Sequence, residues 1–159
     1  MKKAFLVFFS LFSLCLFSQK ISEFEFVMVP TKFDFQDSDN EYRLNTLLKY
    51  RLEEYGFNAL YTSDQLNVNY SDRCLFLNAN VINESNMFVT KIYIVFKDCN
   101  NAIVFQSDIG SSRIKLRKDG YREALENALK SVKALNYQFS GVKVNQVATL
   151  SNEETTPLL

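Results

Sequence analysis

The sequence predicts a domain of α/β (α+β) class, in which a mixed sheet of about five strands packs with two helices in the order β-α-β-β-β-β-α. Two spacings of apolar residues predict this class. In 39–55 and 120–136 they recur every three or four positions, as on one face of a helix. In other segments they alternate with polar residues, as in half-buried strands, and these segments are 22–29, 57–62, 74–83, 88–97 and 102–109.

The first helix has the clearest boundaries. Ser38 and Glu41 have the spacing of a capping box, and Gly56 is the residue type that commonly ends a helix in the left-handed conformation. The apolar stripe between them consists of Leu44, Leu47, Leu48, Leu52 and Tyr55. The stripe of the second helix consists of Tyr121, Leu125, Ala128, Leu129, Val132 and Leu135. A strand-helix-strand unit as short as the first one favours a right-handed crossover between parallel strands.

Alternation assigns the strand residues to two faces of the sheet. The core face is expected to hold Phe24, Phe26 and Met28 of the first strand. The opposite face is expected to be half apolar, with Val27, Val29, Phe76, Tyr93, Val95 and Val104 between Asn78, Asn80, Lys91 and Gln106. If both helices cover the core face, the second face is a candidate surface for a partner or a second copy, centred on Phe76, Tyr93, Val95 and Val104. If one helix covers each face, these residues are core, and alternation leaves both arrangements open.

The first nineteen residues have the pattern of a secretory signal peptide. Lys2 and Lys3 precede an apolar run over 4–17, which is shorter than the roughly 20 residues that span a bilayer. Cleavage is expected after Ser18, where a small residue precedes the site. A retained membrane anchor and lipidation at Cys15 are the alternatives, and the bulky residue before that cysteine argues against lipidation.

Removal of this leader leaves a single domain over 20–136 and a polar, flexible C-terminal tail over 137–159, in which 142–150 is a candidate edge strand. We therefore expect a secreted or periplasmic protein, associated with the outer membrane in one version of this prediction, without a transmembrane span after processing. Loss of two of the 18 cationic side chains leaves 16 against 18 anionic ones, a net charge of −2. This balance does not favour binding to nucleic acid.

Two cysteines, Cys74 and Cys99, remain after the leader is removed, and an oxidising compartment favours a disulfide between them. Both lie on the non-core face of the two strands that form the predicted hairpin. Directly opposed cysteines would place Leu77 opposite Phe96 and Val81 opposite Ile92, which are apolar pairs. A register two residues away also keeps the faces matched, so the bridge is allowed rather than forced.

The composition excludes several kinds of chemistry. The chain has no histidine, which rules out Ser-His-Asp and Cys-His triads and imidazole zinc ligands. Its four glycines fit neither of the usual phosphate-binding loops, GxxxxGK and GxGxxG. We therefore expect no cofactor, no metal site and no catalytic residue.

Two charged clusters are candidate sites. Arg113, Lys115, Arg117 and Lys118 are a candidate contact for anionic lipid, lipopolysaccharide or an acidic partner, or else a solvated strand end that discourages edge pairing. An acidic cluster precedes the first helix and comprises Asp34, Asp37, Asp39 and Glu41. It lacks the central glycine of a calcium loop, and the helix dipole already accounts for acidic residues there.

The element order, together with VMVP, LEEYGFNALYTSDQL and YREALENALKSV, resembles small periplasmic α/β modules of the cell envelope over residues 22–136. The layout is similar to the periplasmic domain of the curli-secretion channel and to the N-terminal domain of the Tol-Pal translocation protein. The resemblance implies a non-enzymatic module that binds envelope proteins, with no active-site residues to transfer, and it is compatible with a homo-oligomer.

Two alternatives from other functional classes stay open. A carboxylate-dependent hydrolase of cell-wall or glycan material needs two carboxyl groups about 5 to 9.5 Å apart in one cleft. A periplasmic small-ligand binder needs a closed apolar pocket with a few convergent polar groups.

Overall fold

A mixed six-stranded sheet carries both helices on one face in the computed structural model, which describes residues 21–64 and 73–140. The strands are β1 (Phe26–Val29), β2 (Asn58–Tyr61), β3 (Phe76–Asn83), β4 (Thr90–Lys97), β5 (Ile103–Gln106) and β6 (Gly110–Ser112). The helices are α1 (Leu44–Glu54) and α2 (Arg117–Lys133), and 3-10 turns cover Ile21–Glu23, Glu41–Arg43 and Arg73–Leu75. The predicted fold class and element order are confirmed. The predicted signal peptide and the candidate strand 142–150 lie outside the described residues.

The strand order is β2-β1-β3-β4-β5, with β6 also paired to β4. β1 is parallel to β2, as the first strand-helix-strand unit predicts, and it is also parallel to β3. The remaining pairings are antiparallel, and β5 and β6 occupy the two ends of the same edge of β4. Among the described residues, no helix is long and apolar enough to cross a membrane.

The predicted strand 102–109 is shorter in the structure: β5 ends at Gln106 because Ser107 and its neighbours leave the regular ladder, and the separate strand β6 begins at Gly110. The Ser107 hydroxyl accepts a hydrogen bond from the Ile94 backbone N–H (2.9 Å) and donates one to the Asp108 carbonyl (2.8 Å). The chain rejoins β4 at Gly110, where α2 comes so close that a Cβ atom would lie 1.9 Å from the Ala124 carbonyl oxygen. Only glycine fits this contact without displacing the helix.

A single hydrophobic cluster joins both helices to the sheet. It contains Leu44, Leu48 and Leu52 of α1, Ala124, Leu125, Ala128, Leu129 and Val132 of α2, and Leu77, Ala79, Val81, Ile92, Ile94 and Phe96 of the central strands. The helices also meet directly, since the Arg51 guanidinium donates two hydrogen bonds to Glu126 Oε1, from Nε (3.0 Å) and from Nη2 (2.7 Å). This bond to Glu126 raises the pKa of Arg51, with Glu54 adding to it. The pair is partly exposed, so burial of the apolar stripes stabilises the helix pair more than this ion pair does.

The faces assigned to residues 26–29 of the first strand were wrong, whereas Phe24 belongs to the core cluster as predicted. Val27 and Val29, predicted to point away from the core, are 2% and 0% exposed and belong to the core cluster. In-register parallel pairing places Val27 beside Leu77, so both side chains point toward the helices. Phe26 lies beside Phe76 on the opposite face, where their rings stack with centroids 5.3 Å apart. Alternation failed here because both faces of this central strand are apolar.

The start of the first helix was also predicted wrongly. The helix begins at Leu44, and its N-cap residue, Arg43, adopts a left-handed conformation (φ 59°) without a side-chain capping bond. Asn40 and Tyr42 are left-handed as well, with φ of 50° and 56°. The Glu41 carboxylate accepts the Asp37 backbone N–H at 2.8 Å, so it stabilises the preceding loop instead of a capping box.

The predicted disulfide is confirmed, and its register is the shifted one. Cys74 and Cys99 are bonded with Cα atoms 5.0 Å apart. Ala79 lies opposite Phe96 and Val81 opposite Ile94, so the sequence-based pairing of directly opposed cysteines was wrong by two residues. The bridge forms beyond the ladder, between the 3-10 turn before β3 and the turn after β4, where the backbone no longer obeys strand geometry.

Tyr137, placed by the sequence in the tail region 137–159, packs onto the core. Its ring stacks on Phe57 with centroids 4.0 Å apart, and its hydroxyl donates a hydrogen bond to the Phe24 carbonyl. Burial raises the pKa of Tyr137, and the nearby charge of Glu25 raises it further.

Removal of the disulfide should weaken the fold measurably. We expect Cys74→Ser combined with Cys99→Ser to lower the free energy of unfolding by about 3 kcal/mol, because the bridge restricts the unfolded chain. Urea unfolding followed by circular dichroism measures this change. Reductant should bring the wild-type protein to the stability of the variant and leave the variant unaltered. A wild-type transition that does not respond to reductant would contradict the prediction.

Stability should fall in alkali, in part through Tyr137. The folded state favours the neutral hydroxyl, so its pKa exceeds the ordinary value of 10.0, and stability is lost as the pH rises above about 10 because the unfolded state ionises first. Tyr137→Phe should cost about 1 kcal/mol at neutral pH through the lost hydrogen bond, and it should flatten the alkaline decline. Urea unfolding of both proteins across this pH range tests it, and equal slopes would contradict it.

Candidate functional site

The sheet face opposite the helices, called here the open face, carries most of the predicted partner surface. It comprises Phe26 and Met28 of β1, Phe76, Asn78, Asn80 and Ile82 of β3, and Lys91, Tyr93, Val95 and Lys97 of β4. No described helix covers these residues, because both helices belong to the core on the other side.

The predicted residues of this surface differ in their exposure and in their packing. Tyr93 pairs with Ile82 and is partly exposed, whereas Val95 pairs with Asn80 and is 2% exposed, so Val95 does not present contact area to a partner. Val104 lies at the irregularity in the pairing of β4 with β5 and packs against the core cluster. On the paired residues of the open face, apolar side chains thus alternate with amide and ammonium groups.

A second surface lies at the end of the sheet where β3 turns into β4. The hairpin tip, residues 84–89, is fixed by its own side chains: Asn86 Oδ1 accepts the backbone N–H groups of Phe88 and Val89, both at 2.9 Å. The Ser85 hydroxyl accepts the Lys91 backbone N–H, also at 2.9 Å. These bonds give the tip a defined turn, from which Met87 and Phe88 project into solvent.

The connector between β6 and α2, residues 113–116, runs beside this tip because Thr90 pairs with Ser112. The Ser112 hydroxyl donates to the Glu123 carboxylate and accepts the Ile114 backbone N–H at 3.2 Å. A Cβ atom on Gly120 would lie 2.8 Å from the Ile114 carbonyl oxygen, so the connector rests directly against the first turns of α2.

The structure places all four predicted cations, Arg113, Lys115, Arg117 and Lys118, on exposed positions of the connector and the first turn of α2. They do not form the predicted extended strand end, since the connector is irregular and α2 begins at Arg117. Three of them line a groove of about 540 Å³ together with the hairpin tip, and those three are Arg113, Lys115 and Arg117.

An aromatic stack supports this end of the fold. The Tyr121 ring stacks between Phe35 (5.3 Å between centroids) and Tyr42 (5.7 Å), and its hydroxyl accepts a hydrogen bond from Asn83 Nδ2 at 3.1 Å. The Glu41 carboxylate, through a hydrogen bond, raises the pKa of Tyr42, and the positive charge of Arg117 opposes this shift. Tyr121 therefore links the loop before α1, the hairpin and the start of α2.

The acidic cluster before α1 lies in solvent and in the loop hydrogen bonds. Asp34, Asp37 and Asp39 are exposed, and the Glu41 carboxylate accepts the Asp37 backbone N–H. Within 21–64 and 73–140, no group of three or more acidic or cysteine side chains is arranged to hold a metal ion.

A neighbouring groove of about 790 Å³ lies between the hairpin base and the connector and is lined by one carboxylate, that of Glu123. A hydrolase of the expected kind requires a second carboxylate facing it, which neither of these two grooves supplies from described residues. Both grooves combine exposed apolar side chains with cations or hydroxyl groups.

Sequence reasoning missed the apolar part of this surface. Phe88 was predicted to begin the strand 88–97 on the same face as Ile92, Ile94 and Phe96, which was wrong, since the strand begins at Thr90. Met87, Ile114 and Leu116 were not singled out. One signal was available: two large apolar residues directly follow the polar turn residues 83–86, where solvent exposure is expected.

No protein-family model and no curated protein matches this chain. Among solved structures, it is similar to a point variant of the PelC dodecamer from Paraburkholderia phytofirmans, with 12% identity, a TM-score of 0.48, and coverage of 76% of this chain and 95% of that one. It is similar to a second PelC dodecamer structure from the same organism, with 13% identity, a TM-score of 0.47, and coverage of 76% and 94%. At these values the likeness carries no conclusion about assembly or role. The resemblance to the curli-secretion and Tol-Pal modules stays a prediction.

The close contact between connector and α2 should reverse the usual effect of a glycine replacement in a helix. Gly120→Ala normally gains about 1 kcal/mol from helix propensity. Here we expect a net loss of about 1 to 3 kcal/mol, because the new methyl group meets the Ile114 carbonyl oxygen at 2.8 Å and Thr90 Oγ1 at 3.3 Å. Urea unfolding measures the change, with exposed Lys118→Ala as the control within about 0.5 kcal/mol of wild type. A stabilised Gly120→Ala variant would show that the connector is not held there.

Proposed function

We propose that this chain is an exported, disulfide-bonded module of the cell envelope that binds a protein partner through its open face and acts by binding rather than by catalysis. The observation that carries the proposal is the one-sided helix packing, which leaves β1, β3 and β4 without a helical cover on the other face among the described residues.

The composition of the open face supports a protein partner. Partly exposed apolar groups, among them Ile82 and Tyr93, are interspersed with Asn78 and Asn80, whose amides can hydrogen bond across an interface. Interfaces of proteins that also exist unbound have this mixture, whereas obligate interfaces are more apolar.

The charges of this face indicate the chemistry of the partner. The open-face residues of β1, β3 and β4 include two cations, Lys91 and Lys97, and no carboxylate. A partner that presents acidic side chains at the rim of its contact surface fits this distribution best. A second copy of the chain would instead place like charges close together.

Export is supported by the leader-like first nineteen residues and by the disulfide between Cys74 and Cys99. A disulfide persists in the periplasm or outside the cell and is rare in the cytosol. The absence of histidine from the whole chain supports a binding role, because the most common general base in catalysis is missing.

Loss of the Tyr93 ring should release the partner. Tyr93→Lys removes this ring from the open face, and we expect partner binding to weaken by more than tenfold, the effect of truncating an aromatic anchor, because one ammonium group does not replace the contact area of the ring. Tyr50→Lys makes the same change on an exposed position of α1 and serves as the matched control.

The measurement is chemical cross-linking in the native host, with the full chain and its leader, followed by mass spectrometry of the envelope fraction. Wild type and Tyr50→Lys should give the same cross-linked protein, Tyr93→Lys should not, and the processed chain should begin at Gln19. Equal cross-linking of Tyr93→Lys would exclude the open face. If cross-links form only between identical chains, the partner is a second copy of this chain and not an acidic protein.

A further inference from the structure

We propose that the hairpin tip and the connector together form a docking surface for an anionic phospholipid leaflet. This surface, called here the basal patch, consists of Met87, Phe88, Ile114 and Leu116 with Arg113, Lys115, Arg117 and Lys118. It is distinct from the open face and makes no use of the protein partner proposed above.

The apolar side chains of the basal patch are unusually exposed. Met87 is 91% exposed and Phe88 82%, while Leu116 and Ile114 are 63% and 44% exposed. They come from two segments that are distant in sequence and are brought together by the pairing of Thr90 with Ser112. The hairpin tip is tied by its own hydrogen bonds, so this exposure belongs to a defined conformation rather than to a loose loop.

Three cations of the patch, Arg113, Lys115 and Arg117, line the same groove as Met87, Phe88 and Ile114. The ion pairs among the described residues join Lys49 to Glu53 and Arg51 to Glu54 and Glu126, and none includes a cation of the patch. The carboxylate that lines the adjoining groove, that of Glu123, accepts a hydrogen bond from Ser112. Arg117 hydrogen bonds to Tyr42, which carries no charge at neutral pH, so no described ion pair neutralises the positive charge of the patch.

The position of two cations in α2 also indicates an outside ligand. Arg117 and Lys118 lie in the first turn, where the helix dipole favours acidic residues and disfavours bases. Asp119, the acidic residue of that turn, offsets the unfavourable interaction of the two cations with the helix dipole only in part. A phosphate-rich surface at this end of the helix would compensate both the dipole and the cations.

The shape of the patch favours a membrane over a protein. Met87 and Phe88 protrude from the fold, and a protein partner would need a pocket matched to them. Fluid acyl chains need no such match: apolar side chains insert below the headgroups, while lysine and arginine reach phosphates at the surface. Exposed apolar residues ringed by cations are the pattern of peripheral binding to anionic lipid.

The lack of tryptophan in the chain gives a direct test of insertion. Phe88→Trp places a single fluorophore at the hairpin tip. With vesicles of phosphatidylcholine and phosphatidylglycerol, its emission should shift to the blue and be quenched by brominated acyl chains. Phe139→Trp, which is 42% exposed and near Ser22 at the opposite end of the sheet, is the matched control and should show neither change.

Sedimentation with the same vesicles tests the charges, using the exported protein purified from cells that produce the full chain. Arg113→Gln, Lys115→Gln and Arg117→Gln together should weaken binding about a hundredfold, at about fivefold per cation. The control replaces three lysines toward the opposite end of the fold, Lys97, Lys130 and Lys133, by glutamine and should bind within about twofold of wild type, since charges farther than a Debye length from the leaflet are screened.

The outcomes separate this proposal from its alternatives. Unshifted Phe88→Trp emission in a protein that unfolds like wild type would overturn it. So would equal binding to vesicles of phosphatidylcholine alone, or binding to lipopolysaccharide without binding to phosphatidylglycerol vesicles. Tyr93→Lys should bind vesicles like wild type, so loss of the protein partner and loss of lipid binding are told apart.

Discussion

The contact between α2 and β6 at Gly110 is the constraint on which the arrangement of this protein depends. Because residue 110 has no side chain, the backbone of α2 at Ala124 and Ala128 lies directly against the sheet edge. This approach fixes α2 over β4 and buries Leu125, Leu129 and Val132 in the same cluster as the leucines of α1. Because both apolar stripes are buried on one side of the sheet, no described helix covers its second face.

Because this contact positions α2, it also determines which side chains lie at each end of the sheet. The start of α2 carries Gly120 and Tyr121 to the hairpin end, where the connector and the aromatic stack meet. The opposite end is closed by the disulfide and by Tyr137, which binds the Phe24 carbonyl. One end is therefore stabilised by a covalent bond and a buried ring, and the other presents exposed apolar and cationic side chains.

Local patterns in the sequence were reliable where one periodicity dominated. The stripe of α1 was predicted correctly because Leu44, Leu48 and Leu52 allow only one buried face. The face of β1 was not, since a strand that is apolar on both sides has no alternation to read, and its orientation followed from pairing with Leu77. The start of the first helix was predicted wrongly because the Glu41 carboxylate accepts the Asp37 backbone N–H instead of forming the predicted capping box. Half of the basal patch could be predicted, because its cations form a visible cluster in the sequence. The exposed apolar residues of the hairpin tip, which make the patch amphipathic, are distant from that cluster in sequence.

The sequence by itself determined the order of the elements, the absence of histidine chemistry and the two cysteines able to bridge, because these depend on composition and on short-range spacing. The tertiary structure alone decided which face the helices share, the register that moves the disulfide beyond the ladder, and the groove that Phe88 and Arg113 line together. Those features depend on packing between segments far apart in the chain. Neither residue spacing nor intrinsic propensity specifies which distant segments pack together. That packing is set by close contacts such as the approach of α2 to Gly110.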